Sequence, residues 1–111
     1  MTDCIFCRII AGDIPGDFVV QTDTVVAFRD IAPKAPVHVL VVPRLHAPNV
    51  AALAAEAPEV LADMAAVAQQ IADAECNGEF RWIFNTGAAA GQTVFHVHGH
   101  VMNGGSLGWD A

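Results

Sequence analysis

Two rhythms of apolar and polar positions divide this chain. From Pro58 to about Glu75, apolar side chains fall at Val60, Leu61, Met64, Val67, Ala68 and Ile71. That is the i, i+3, i+4 spacing of an amphipathic helix with one buried stripe. Pro58 suits the first turn, Glu59 suits the positive end of the helix dipole, and Asn77-Gly78 marks the stop. The alanines in between need no further role, because alanine is the best helix former. Elsewhere the pattern is that of strands. Residues 18–21 and 25–29 are rich in Val and Phe around the turn Thr22-Asp23-Thr24. Residues 37–42 form a near-continuous β-branched run stopped by Pro43, which reads as a well-buried strand. Residues 80–85 alternate, with Phe80, Trp82 and Phe84 on one face, and residues 93–102 read as the last strand. A short helix is predicted over residues 4–11, closed by Gly12, and residues 30–36 and 86–92 read as loops. The sum is an α+β fold in one domain over residues 1–111: a mostly antiparallel sheet of about five strands, one long helix and a short N-terminal helix.

Composition narrows the function. The chain has 111 residues, enough for one core, and carries a net charge of −7 with only five Lys and Arg residues. Nucleic-acid polymers are bound by neutralising many phosphates, so such a partner is not expected, whereas a small phosphate ester needs only a few local donors. Hydrophobic residues make up 54% of the chain, yet no apolar run reaches the roughly 20 residues of a membrane helix. Asp3 and Cys4 stand where a secretory leader would need basic residues and then an apolar stretch. The expectation is a soluble cytoplasmic protein with no membrane partner. Three cysteines make no disulfide framework in a reducing compartment. Cys76 reads as a small core residue, and Cys4 and Cys7 call for another explanation.

The five histidines are His38, His46, His96, His98 and His100. Three of them alternate within the last predicted strand, so their rings are expected on one face, roughly 6–7 Å apart per step. A single strand histidine is most often a half-buried ring with one hydrogen bond. Three in register are different, because imidazole is costly to bury and packs no better than Leu or Val. Such a row suits metal ligation, or phosphorus chemistry in which one neutral imidazole attacks while its neighbours hold oxygens and move protons. Nothing acidic lies between Asn85 and Asp110, which disfavours a hydrolytic metal centre.

The run from Gly91 through Met102, with His96-Val97-His98-Gly99-His100-Val101-Met102 at its heart, resembles the signature of the histidine-triad family. Cys4-Ile5-Phe6-Cys7-Arg8-Ile9-Ile10, Ala27-Phe28-Arg29-Asp30-Ile31-Ala32-Pro33, Ala35-Pro36-Val37-His38, Pro43-Arg44-Leu45-His46 and Asn85-Thr86-Gly87 follow in the family's order. Gly99 departs from the pattern, which has an apolar side chain there, on the face opposite the triad. It is expected to cost packing and strand stability, and can let the strand bend.

The resemblance implies a nucleotide hydrolase with His98 as the nucleophile on the α-phosphorus, His100 on the phosphate oxygens and His38 relaying a proton. Asn85 and Thr93 would give neutral hydrogen bonds. Ile5, Phe6, Ile9, Phe28 and Ile31 would line a purine slot, and Asp30 would accept from the ribose hydroxyls. Cys4 and Cys7, completed by His46 and His96, would hold a closed structural zinc, and no catalytic metal is expected. The short chain and the tail Gly104-Gly105-Ser106-Leu107-Gly108-Trp109 look more like the phosphoramidase branch, usually a homodimer, which cleaves the P–N bond of purine nucleoside 5′-phosphoramidates. The rival readings are a dinucleoside polyphosphate hydrolase of the same family, a metal-dependent hydrolase using the triad as ligands, and a nucleotide-binding adaptor with weak catalysis.

Overall fold

The computed structural model describes residues 4–105 and Leu107. Helix α1 (Ile5–Ala11) leads into strands β1 (Phe18–Gln21), β2 (Val25–Arg29) and β3 (Val37–Pro43). Helices α2 (Val50–Glu56) and α3 (Pro58–Glu75) follow, then β4 (Arg81–Ile83), a 3₁₀ turn at Ala88–Ala90 and β5 (Gly99–Asn103). The five strands form one antiparallel sheet in the order β1-β2-β3-β5-β4. The expected α+β architecture holds, with one helix more than the sequence pattern indicated. Among the described residues no helix is long and apolar enough to cross a membrane.

The period-2 alternation of the strands sorts the sheet into two faces. Val25, Ala27, Val39, Val41 and Val101 point to one face, where the stripe Val60, Met64, Val67, Ala68 and Ile71 of α3 covers them. Val26, Phe28, Leu40 and Val42 point to the other, covered by Phe6 and Ile9 of α1. Leu40 lies opposite His100, and His38 shares its side, so the chemistry sits on the α1 face while the main core sits behind it. Helix α1 opens with Cys4, whose Sγ accepts from the Cys7 N–H, and closes at Gly12 with φ of 88°. That left-handed conformation favours glycine and lets the Gly12 N–H reach back to the last turn.

Two sequence expectations need correction. Helix α2 lies where no element was predicted; Asn49 caps it by accepting from the Ala52 N–H, and only Leu53 is buried from its seven residues. An alanine-rich turn with so narrow an apolar stripe has no helical periodicity to read. The last strand is the second correction, since the regular ladder begins at Gly99 rather than at Thr93. Val41 pairs with Gly99, so continuing the register would set Pro43 against Val97. Proline has no N–H to give, and the Val97 N–H donates instead to the Ala47 carbonyl at 2.8 Å. Residues 93–98 are therefore held by side chains and loops.

Candidate active site and metal site

The three triad rings keep to one side although only His100 lies in the ladder. The Phe6 ring is 6.0 Å from His96 and 5.0 Å from His98, and His98 is 5.0 Å from His100, all between centroids. Each ring has a fixed hydrogen-bond partner, and those partners determine the tautomers. A carbonyl only accepts, so His98 Nδ1–H donates to the His96 carbonyl oxygen at 2.8 Å. Its Nε2 is then bare. His96 Nε2–H likewise donates to the Pro43 carbonyl at 2.8 Å, which leaves Nδ1 bare. On β3, His38 Nδ1 accepts the Lys34 N–H at 3.0 Å, so its Nε2 carries the hydrogen and donates to His100 Nδ1 at 2.9 Å. That leaves His100 with its hydrogen on Nε2.

The environment keeps these rings neutral. Burial lowers the basicity of His38, His96 and His98, opposed at His38 and His98 by the Asp30 carboxylate. His100 is pushed down to about 4, first by burial and then by the adjacent rings of His98 and His38. In the unfolded chain an imidazole protonates near 6.5, whereas His100 in the fold resists protonation until about 4. Stability is therefore full above pH 6.5, falls as the pH drops toward 4, and levels below that. The slope from this ring is at most about 1.4 kcal/mol per pH unit and is reduced by solvent screening of its partly exposed edge. Urea unfolding at pH 7, 5.5 and 4.5 should show this loss, and His100→Asn should flatten it; an unchanged slope would remove His100 as the cause.

In front of the rings lies a cavity of about 580 Å³. Of the residues assigned to catalysis and substrate binding from the sequence, His98, His100, Ile5, Phe6, Ile9, Phe28, Asp30, Ile31 and Thr93 border it. Their depths differ. Phe6, Ile9 and Phe28 are buried and form the floor, Phe6 packing edge-on against Phe28 at 5.4 Å. Ile5 and Ile31 stand on the rim, Ile31 with 101% of its surface exposed. Leu40, Val94, Pro15, Gly16, Asp17 and Arg29 complete the wall; they were not singled out from the sequence. The signal for Leu40 was its place two residues after His38 on one strand face, and the register sets it beside His100. Asp30 holds the Ala32 N–H with Oδ1 at 2.8 Å, while Oδ2 lies 3.4 Å from His38 Nε2. Asn85 does not border the cavity; its Nδ2 donates to the Ala90 carbonyl and braces the loop of residues 86–92.

Gln92 is a supporting residue that sequence reasoning left in that loop. Its buried amide accepts the Gly87 N–H at 2.9 Å and donates to the Pro48 and Val94 carbonyls at 2.6 and 3.0 Å. It thereby ties the segment bearing Thr93 to the loop before α2. Gln92→Leu would strip three backbone groups of their partner at once, at about 1–3 kcal/mol for each group left buried and unpaired. A fall in the unfolding midpoint by several degrees is expected, and an unmoved midpoint would show that water replaces the amide.

A second cluster lies behind Phe6. His96 Nδ1 is 3.3 Å from Cys4 Sγ, 3.5 Å from Cys7 Sγ and 3.1 Å from His46 Nδ1, and Cys7 Sγ is 3.4 Å from His46 Nδ1. All four ligand atoms lie within 4.8 Å of one another, so the group could hold a metal ion. The edges of a tetrahedron with ordinary zinc–sulfur and zinc–nitrogen bonds are about 3.3–3.7 Å, close to these separations. The bare Nδ1 of His96 faces the group because Nε2–H is held by Pro43.

The comparisons with known proteins agree with this geometry. Residues 3–108 match the family model described as "Scavenger mRNA decapping enzyme C-term binding". A purine nucleoside phosphoramidase of Escherichia coli is 44% identical over 108 residues, spanning 96% of this chain and 91% of that one. An uncharacterised HIT-like protein of Synechococcus elongatus is also 44% identical, over 96% of this chain and 95% of its own. A HIT family hydrolase from Clostridium thermocellum superposes with a TM-score of 0.91 at 37% identity, covering 97% and 96% of the two chains.

Proposed function

The chain belongs to the histidine-triad family, and from that premise we propose that it is an enzyme, a nucleotide hydrolase that cleaves purine nucleoside 5′-phosphoramidates at the P–N bond. The observation that carries the mechanism is the hydrogen bond from His98 Nδ1–H to the His96 carbonyl, which leaves Nε2 bare on the wall of the cavity. A neutral nitrogen with its hydrogen held on the far side is a ready nucleophile. Attack of His98 Nε2 on phosphorus forms the nucleotidyl-histidine bond as the P–N bond to the amine breaks. The ring becomes cationic, and the His96 carbonyl, accepting from Nδ1–H, favours that charge. The departing amine takes up one proton drawn from solvent and relayed by His100, whose ring is held by His38. Water then attacks phosphorus, gives up one proton to solvent by the same relay, and releases the nucleoside monophosphate with His98 restored.

Binding follows from the rest of the cavity. The floor of Phe6, Ile9 and Phe28 offers apolar and aromatic surface for a purine. The Asp30 carboxylate suits a ribose diol, since both hydroxyls can donate to it. Thr93 stands at the rim as a neutral donor to the phosphate, and Asn85 would reach it by a movement of the loop it braces. Cys4, Cys7, His46 and His96 would hold a structural zinc, whose closed donor set supplies cross-linking rather than catalysis. A homodimer in a cytoplasmic setting completes the reading, in keeping with three free cysteines. The part assigned to the C-terminal tail lies largely outside the described residues, since Ser106, Gly108 and Trp109 are not among them.

The deciding assay offers adenosine 5′-phosphoramidate and a diadenosine polyphosphate to the protein without added metal. Faster release of AMP from the phosphoramidate supports the assignment. Preference for the dinucleotide would move the protein to the polyphosphate hydrolases, and AMP binding without turnover of either substrate would make it a binding module.

A further inference from the structure

The helix-side face of the catalytic strand has a hole at Gly99 and a tryptophan that fits it. Gly99 stands between His98 and His100, at the first rung of β5. A side chain there would point away from the histidines, into the face covered by α3, as Val101 does. A Cβ on Gly99 would stand 2.7 Å from Trp82 Cε2 and 2.9 Å from Phe84 Cζ, and closer still to Trp82 Nε1. Trp82 pairs with Val101, so its indole reaches diagonally along the face to cover the Gly99 backbone. Phe84 buttresses it edge-on at 4.7 Å. The indole nitrogen is buried there with no hydrogen-bond partner among the described residues, so the ring is held by packing alone.

This arrangement reverses the expectation that Gly99 leaves the sheet underpacked. The volume is filled from β4 instead of from β5. Glycine on its own would give the backbone between the two histidines more freedom than any other residue. We propose that Trp82 is a positioning residue for the reaction: its indole occupies the space left at Gly99 and so fixes the backbone that aims His98 and His100. The proposal rests on the hydrolase reading for its kinetic consequences but not for its structural ones. A displacement of about 1 Å in an attacking group can cost on the order of 100-fold in rate without touching the substrate.

The test is a cycle of Trp82→Leu, Gly99→Leu and the double variant. It reads kinetics with adenosine 5′-phosphoramidate, AMP affinity by calorimetry, and the imidazole ¹⁵N signals of His98 and His100. Trp82→Leu should lower kcat by at least about 10-fold, keep AMP affinity within about twofold, and shift the imidazole signals. Gly99→Leu should be at least as damaging, and the double variant should recover most of kcat and return the signals toward wild type. Wild-type kcat in Trp82→Leu, or a double variant no better than the product of the single ones, would overturn the proposal. Should Gly99→Leu fail to fold, the other two proteins still decide. Should the wild type not turn over the phosphoramidate, the hydrolase reading falls. The imidazole signals then decide alone, and unchanged signals in Trp82→Leu would sink the positioning role.

Discussion

Replacing His98 with alanine should lower turnover of adenosine 5′-phosphoramidate by at least ~10,000-fold, while AMP still binds. On the proposed mechanism, removing the ring takes away the attacking nitrogen itself, and none of its neighbours can substitute. His96 Nδ1 faces the thiols, and His100 Nδ1 is engaged by His38. The apolar floor and Asp30 remain, so affinity for the product should change only by the lost contact with one ring. Equilibrium binding of AMP and steady-state release of AMP separate the two effects. Quenching the wild type in alkaline denaturant with a nucleotide labelled at phosphorus should also trap a label on the protein that acid then removes and that the variant lacks. A variant that retains even a tenth of the wild-type rate would mean that His98 is not the nucleophile.

The second large effect is expected from metal removal. Helix α1 has only seven residues, too short to persist without tertiary anchors. It carries Cys4 and Cys7 at the metal cluster and Phe6 and Ile9 on the floor of the cavity. If zinc fills the cluster, chelation should lower the unfolding midpoint by ~10–20 °C, corresponding to roughly 2–4 kcal/mol in a domain of this size. It should also raise KM for the nucleotide more than it lowers kcat, because the slot loosens while the triad keeps its own hydrogen bonds. Cys7→Ser should reproduce both effects. Protein purified from zinc-replete cells that contains no stoichiometric metal by elemental analysis, with a midpoint indifferent to chelator, would refute the zinc assignment.

Much of the site was legible because it is local or periodic. The stripe of α3 and its stop at Asn77-Gly78 lie in consecutive residues, and the helix observed is Pro58–Glu75. The histidine alternation is likewise local, and the family pattern supplied His46 and His96 as partners for Cys4 and Cys7. What escaped is decided by residues far apart in the chain. The start of β5 is set by Pro43, a residue on another strand that cannot donate. The space at Gly99 is filled by Trp82, and nothing in the neighbourhood of either residue signals the other. Gln92 reads as one more polar loop residue until Pro48 and Gly87 are brought to it. Helix α2 is local but buries only Leu53, so its residues carry no apolar stripe from which a helical period could be read.

The proline at the end of β3 has a consequence for when the parts of the site open. A ladder amide exchanges its hydrogen only when the sheet parts, whereas an amide held by a loop exchanges with much smaller openings. The boundary between these regimes falls at Gly99, one residue past His98. His100 and His38 therefore belong to the slowest-exchanging body of the protein, and His98 sits on the first link of a segment able to breathe on its own. In hydrogen–deuterium exchange, residues 93–98 should label well before residues 99–103, and a bound nucleotide spanning both should slow the earlier group most.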